Sequence, residues 1–106
     1  MVHGYGAASV LWFKMLPSLL EKFHVYSIDL YGMGSSYKFK FDQKTADEAI
    51  DLYTKSIEEW RCQLELGEFF IMAHSLGGYV VSHYLHRYQP KGVLGVFMLS
   101  PAGTLG

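Results

Sequence analysis

Ser75 stands in the stretch A-H-S-L-G-G (Ala73–Gly78), between an apolar run at Phe69–Ala73 and a helical pattern that begins at Leu76. A side chain at such a junction sits at the carboxyl end of its strand, where open α/β sheets bind ligands. Forcing a serine into so sharp a turn requires small neighbours, because strand and helix backbones nearly touch. Ala73, two residues before Ser75, and Gly77, two after it, meet that requirement, and Gly78 permits close helix–sheet packing. The helix start adds unpaired N–H groups and a positive dipole end beside the hydroxyl. The spacing therefore suits a nucleophilic serine (Ser75) whose tetrahedral adduct is held by the backbone N–H of Leu76. The competing assignment is an ordinary N-cap, a position that serine favours.

A second N–H donor has to come from another loop, and H-G-Y-G-A (His3–Ala7) follows the first apolar segment. Tyr5 is the first choice for that donor and Gly6 the second, with His3 and Gly4 shaping the turn. Glycines let a backbone pass close to a ligand. His74 lines the elbow or packs beside it. D-L-Y-G-M-G-S-S (Asp29–Ser36) has G-x-G but lacks the third glycine of a dinucleotide loop, so it reads as a tight turn stapled by Asp29.

A serine hydroxyl is a poor nucleophile near neutral pH without a general base. After Ser75 the chain holds no aspartate or glutamate, and its two later histidines are His83 and His86. At 1.5 Å per residue these lie roughly 12 to 16 Å along the following helix, far from the hydroxyl. The acid and histidine of a triad are therefore missing from these residues.

The elements that position the serine follow from periodicity. M-V-H-G, Phe23–Asp29, Phe69–Ala73 and Val93–Ser100 are apolar or β-branched runs of strand length. Continuous apolar runs suit parallel strands covered on both faces. Between them, Trp12, Met15, Leu16, Leu19 and Leu20 form one apolar helical face interrupted by Pro17. Thr45 and Glu48 make a capping box ahead of a stripe at Ile50, Tyr53, Ile57, Trp60 and Leu64, with Gly67 as the left-handed cap. A third helix runs from about Leu76 to Tyr88 and stops before Pro90. The order β-α-β-α-β-α-β predicts an α/β fold, a parallel sheet with flanking helices and right-handed crossovers.

At 106 residues the chain is at most one domain. Half its residues are hydrophobic and 18% are charged, which argues against disorder, and a formal charge of −1 provides no basic field for nucleic acid. No apolar run is long enough to span a bilayer, and M-V-H-G-Y-G lacks the pattern of a signal peptide. Cys62 is the only cysteine, so no internal disulfide or cysteine metal cluster is possible. A single thiol favours a reducing, cytoplasmic compartment. Neither a cofactor nor a metal is expected.

Taken together, H-G-Y-G, D-L-Y-G-M-G-S-S, A-H-S-L-G-G and L-S-P-A-G resemble, in order and spacing, the α/β-hydrolase superfamily along essentially the whole chain. S-I-E-E-W-R-C-Q-L-E-L and the terminal S-P-A-G look like the branch of lysophospholipase, N-acylphospholipid lipase and lipase-coactivator proteins. The resemblance implies that residues 1–106 are a partial α/β-hydrolase core covering the third to sixth strands, with the lid and C-terminal part absent. It further implies a serine hydrolase acting on acyl esters of lipids, of lysophospholipid or acylglycerol type, and peripheral association with lipid surfaces. Two departures stand out: Ala73 replaces the usual glycine, and the basic residue often found after G-x-G is absent. The coactivator type has lost its nucleophile, whereas Ser75 is kept here, which favours the enzymes. The alternative is a non-catalytic lipid-surface or lipase-binding module that retains the fold.

Overall fold

The computed structural model describes residues 1–103. Its two regular strands, β1 (Phe69–His74) and β2 (Val93–Leu99), pair in parallel, with Ile71 opposite Val96 and Ala73 opposite Met98. On the other side of β1 the sheet continues through single bridges: Ala73 pairs with Val2, and Val2 with Ile28, both in parallel. The order across the sheet is therefore Ile28, Val2, β1, β2.

Two of the four predicted strands are thus reduced to a single bridging residue each, Val2 and Ile28. Val2 donates to Met72 O (2.8 Å) and accepts from His74 N (3.0 Å), and Ile28 N bonds to Met1 O (3.2 Å). Gly4 already belongs to a turn closed by Ala7 N–H on its carbonyl (3.2 Å), so the segment leaves the sheet after His3. A strand-length apolar run needs as many partner residues as its own length, and here the partner turns away.

The helices flank this sheet. The first helical stretch is broken, as Pro17 implies, into a 3-10 turn at Ser9–Trp12 and the short α1 (Leu16–Leu20) with proline in its first turn. The second, α2 (Ala46–Gln63), starts at Thr45, whose hydroxyl accepts Glu48 N–H at 3.2 Å. The capping box is only half made, because Glu48 reaches back to Lys44 N–H (2.7 Å) rather than to that of Thr45. Ile50, Thr54 and Ile57 are the buried residues of α2, while Leu64 is exposed. Thr54 tolerates burial because its hydroxyl bonds to Ile50 O at 2.8 Å, one turn back.

Gly67 is not the left-handed cap of α2. Glu65 takes that conformation (φ 52), with Glu65 N–H on Cys62 O and Leu66 N–H on Arg61 O. These two bonds form a Schellman motif. Gly67 instead lies against Gly92, where an added Cβ would fall 1.7 Å from Gly67 O.

The third helix, α3 (Leu76–Tyr88), has the predicted bounds. Its Val80, Val81 and Tyr84 are fully buried with Ile71 and Ala73 of β1 and with Ile50 and Ile57 of α2. Full burial of such side chains contributes about 1.5–3 kcal/mol each, which seats α3 on the sheet and fixes where its N-terminus stands. A polar bridge ties α3 to α2: Tyr84 donates its hydroxyl hydrogen to Glu58 (2.6 Å), and Arg61 grips the same carboxylate through two nitrogens (2.6 and 2.9 Å). The Arg61 hydrogen bond and that of Tyr84 hold the Glu58 carboxyl down at about 2. Desolvation and Glu58 together push the Tyr84 phenol above its ordinary range.

Candidate active site

Ser75 links β1 to α3 with no intervening residue, and its backbone has a positive φ outside the regular regions, φ 53 and ψ −119. That region is rare for a non-glycine residue and stores about 1–3 kcal/mol of strain. The strain is held by a clamp of backbone hydrogen bonds. Ser75 N–H donates to Leu99 O (3.1 Å), and Ser75 O accepts from Gly78 N (3.0 Å), Tyr79 N (3.3 Å) and Ala102 N (2.9 Å). The side chain makes no capping hydrogen bond, so an ordinary N-cap is not what this serine does. The residue is partly exposed rather than buried.

Two glycines make the bend possible. A Cβ on Gly77 would fall 2.5 Å from His3 O and 2.6 Å from Val2 O, and one on Gly78 would fall 2.6 Å from Pro101 Cβ. Contacts under 3 Å against backbone leave no room for any side chain at position 77. Ala73 is fully buried, so its methyl fits where a glycine is usual. The carbonyls that Gly77 approaches belong to Val2 and His3, so the same contact locks the elbow to the first loop.

That loop lies against Ser75. A Cβ on Gly4 would stand 2.9 Å from Ser75 Cβ and 3.3 Å from His74 Nδ1. The Gly4–Ala7 turn puts Gly6 at φ 67 in its third position, where a type II turn demands positive φ. Tyr5 and Gly6 are both exposed, and their N–H groups bond to nothing among the described residues. Leu76, as the first residue of α3, has no intrahelical acceptor for its own N–H. The structure therefore brings Ser75, Leu76, Gly4 and the Tyr5–Gly6 turn to one rim of the sheet.

The supporting residues are structural. His3 is fully buried, with Leu30 N–H donating to Nε2 (2.9 Å) and Nδ1 2.8 Å from Gly4 O. Because Leu30 supplies the hydrogen at Nε2, the ring carries its own on Nδ1. His74 packs edge-on against buried Trp12, ring centroids 6.4 Å apart; its Nδ1 and Trp12 Nε1 are buried with no hydrogen-bond partner. Asp29 accepts Ser9 N–H (2.6 Å) and Ser35 N–H (2.8 Å), and its backbone O accepts the Ser36 hydroxyl. The Ser35 and Ser9 amides hold its carboxyl below the usual carboxylate range. It staples the glycine turn, as its position suggests.

His83 lies against Tyr79, with ring centroids 4.6 Å apart, and His86 is exposed on α3. Sequence reasoning missed the Leu99–Ala102 clamp on Ser75. S-P-A-G was legible as a motif, but no spacing rule links residue 102 to residue 75. Among the described residues no group of three His, Cys, Asp or Glu could hold a metal ion, and no helix is long and apolar enough to cross a membrane.

Comparison with known proteins adds independent evidence. A family model described as alpha/beta hydrolase fold matches residues 1–105. A rice protein named "Probable 1-acylglycerol-3-phosphate O-acyltransferase" is 37% identical over 97% of this chain, which covers 25% of that protein. The human "1-acylglycerol-3-phosphate O-acyltransferase ABHD5" is 35% identical over 97% of the chain and 29% of its own length. The chain thus spans about a quarter of the length of these curated relatives. Among solved structures, serine hydrolase CCSP0084 from Cycloclasticus zankles superposes with a TM-score of 0.86 at 24% identity, over 99% of this chain and 38% of that one. The esterase EaEST from Exiguobacterium antarcticum gives 0.81 at 23%, over 97% and 37%. At those identities the structural likeness concerns the fold.

Proposed function

We propose, from the premise that this chain belongs to the alpha/beta hydrolase family, that it carries the nucleophile of a protein that cleaves acyl esters of lipids, with Ser75 as the attacking group. The observation that carries this reading is the strained positive-φ backbone of Ser75, clamped between β1 and α3 while its side chain caps nothing. A serine recruited only to start a helix has no reason to hold such strain.

In this reading Ser75 Oγ attacks the ester carbonyl carbon, and its proton leaves to a histidine of the parent protein outside these residues. The carbonyl oxygen becomes an oxyanion that accepts hydrogen bonds from Leu76 N–H and Tyr5 N–H, with Gly6 N–H as the alternative second donor. Each such donor is worth roughly 3 to 4 kcal/mol of transition-state stabilisation. When the intermediate collapses, the carbon–oxygen bond to the alcohol breaks, the histidine returns its proton to that alcohol, and an acyl-serine remains. Water then releases a fatty acid. Residues 1–106 would form the third to sixth strands of a larger hydrolase sheet, with the lid, the acid and the histidine supplied elsewhere.

A second reading differs only at the last step. The names of the curated relatives favour a lipid hydroxyl, such as that of 1-acylglycerol-3-phosphate, as acceptor in place of water. Both readings require an acyl-serine, so a fluorophosphonate probe tests them together. Labelling of the parent protein should occur and should vanish in Ser75→Ala. Absence of labelling in a folded parent overturns both and supports a non-catalytic module. Partition of a labelled acyl group between water and an added lysophosphatidate then separates them.

A further inference from the structure

Residues 35–44 lie within the longest described stretch, residues 29–45, that neither the sheet nor the helices absorb. They alternate: Tyr37, Phe39 and Phe41 are aromatic, and Lys38 and Lys40 are the residues between them. The rings form a ladder. Tyr37 and Phe39 stack at 6.3 Å with an interplanar angle of 11°, Phe39 and Phe41 lie 6.2 Å apart, and Phe39 meets Tyr31 edge-on at 5.9 Å. Phe39 is partly buried and anchors the ladder, while Tyr37 is 75% and Phe41 52% exposed. Tyr31, Phe39, Phe41 and Tyr53 line an open cavity of about 330 Å³, together with Gly32, Met33 and, from the candidate oxyanion loop, Tyr5 and Gly6. Tyr5 is itself 83% exposed.

Charge follows the same segment. Lys38, Lys40 and Lys44 are exposed and the stretch holds a single acid, Asp42, whereas the chain as a whole carries −1. Lys38 Nζ donates to Gly34 O (2.8 Å) through an exposed hydrogen bond, so its charge stays open to solvent. Exposed rings interspersed with lysines are the composition that settles at a membrane–water boundary. There each nearby lysine gains from anionic headgroups.

We propose that the Ser35–Lys44 arm, with Tyr5 and Tyr31 beside it, is a docking surface for an anionic lipid layer, in which Tyr37 and Phe41 enter the interface and Lys38 and Lys40 contact headgroups. The proposal deepens the reading of Ser75 by naming the surface from which its substrate would come, but docking itself requires no Ser75 chemistry. Rings bordering the oxyanion loop would let an acyl ester pass from the layer to the candidate site without crossing water.

The test is flotation of the chain with vesicles of phosphatidylcholine alone or mixed with phosphatidylserine. Binding is expected to be stronger to the mixed vesicles and to weaken with salt. Tyr37→Ser with Phe41→Ser should lower it about tenfold on both kinds. Lys38→Gln with Lys40→Gln should lower it about fivefold per lysine on mixed vesicles only. Ser75→Ala should bind as the unaltered chain does, which separates failure of this proposal from failure of the catalytic reading. Circular dichroism checks folding, and trypsin provides a readout on the unaltered chain, since vesicles should shield cleavage after Lys38 and Lys40. Unchanged binding in both double variants overturns the proposal, because the exposed sheet face at Phe70 and Phe97 would then be responsible. So does lysine-dependent binding to heparin without binding to vesicles.

Discussion

The elbow and the Ser35–Lys44 arm share one rim of the molecule and are built on opposite principles. At the elbow the backbone does the holding: the carbonyl of Ser75 takes three amides, and Gly77 is pressed against two carbonyls. Along the arm the main chain has little to hold it, Gly32 N–H on Tyr37 O being one such bond (3.0 Å), and side-chain rings supply the contacts. Chemistry at a single atom needs a position fixed to fractions of an ångström. A surface that meets a fluid partner tolerates rearrangement, and soft ring contacts permit it.

Substitutions should separate the two regions by stability. Gly77→Ala is the largest expected effect: helix propensity favours alanine by about 1 kcal/mol, yet its methyl has no space, and a net loss of roughly 3 kcal/mol should appear in urea denaturation. A neutral result would mean that the helix and the first loop are not in contact.

Tyr84→Phe comes next. It removes a hydrogen bond to a carboxylate and should cost about 2 kcal/mol. Acid titration of the unaltered fold should agree, because the Glu58 carboxyl is depressed from 4.5 to about 2. A depressed carboxyl stabilises the fold above 4.5 and loses that contribution as pH falls toward 2. In Glu58→Gln this part of the acid dependence should be absent.

Ser75→Gly should go the other way and raise stability by about 1 kcal/mol, because glycine relieves the positive-φ backbone while removing the hydroxyl. The smallest effect belongs to the arm: Tyr37→Ser with Phe41→Ser should shift the midpoint by less than about 0.5 kcal/mol. A large loss there would show that the ladder is core, and would erase the contrast.

Legibility in the sequence divides along similar lines. Helix α3 was readable end to end because Ser75 with two glycines opens it and Pro90 follows its close. The elbow was readable because a sharp bend demands small residues at set offsets. The left-handed residue after α2 was not, since Glu65 adopts it while Gly67 is the type that favours it. The bond from Tyr84 to Glu58 joins residues 26 apart, and the clamp from Ala102 to Ser75 joins residues 27 apart. No local period encodes such pairs. The first two strands were over-read for a related reason: an apolar run fixes what wants burial, not how many neighbours arrive to pair with it.

His3 has one more consequence. Its ring spans two loops, engaged at both nitrogens and shut off from solvent, whereas His86 is exposed on α3. A carbethoxylating reagent should therefore consume His86 immediately and reach His3 only in molecules whose loops have parted. Imidazole chemistry at that one residue thereby becomes a clock for how often the rim beneath the serine comes open.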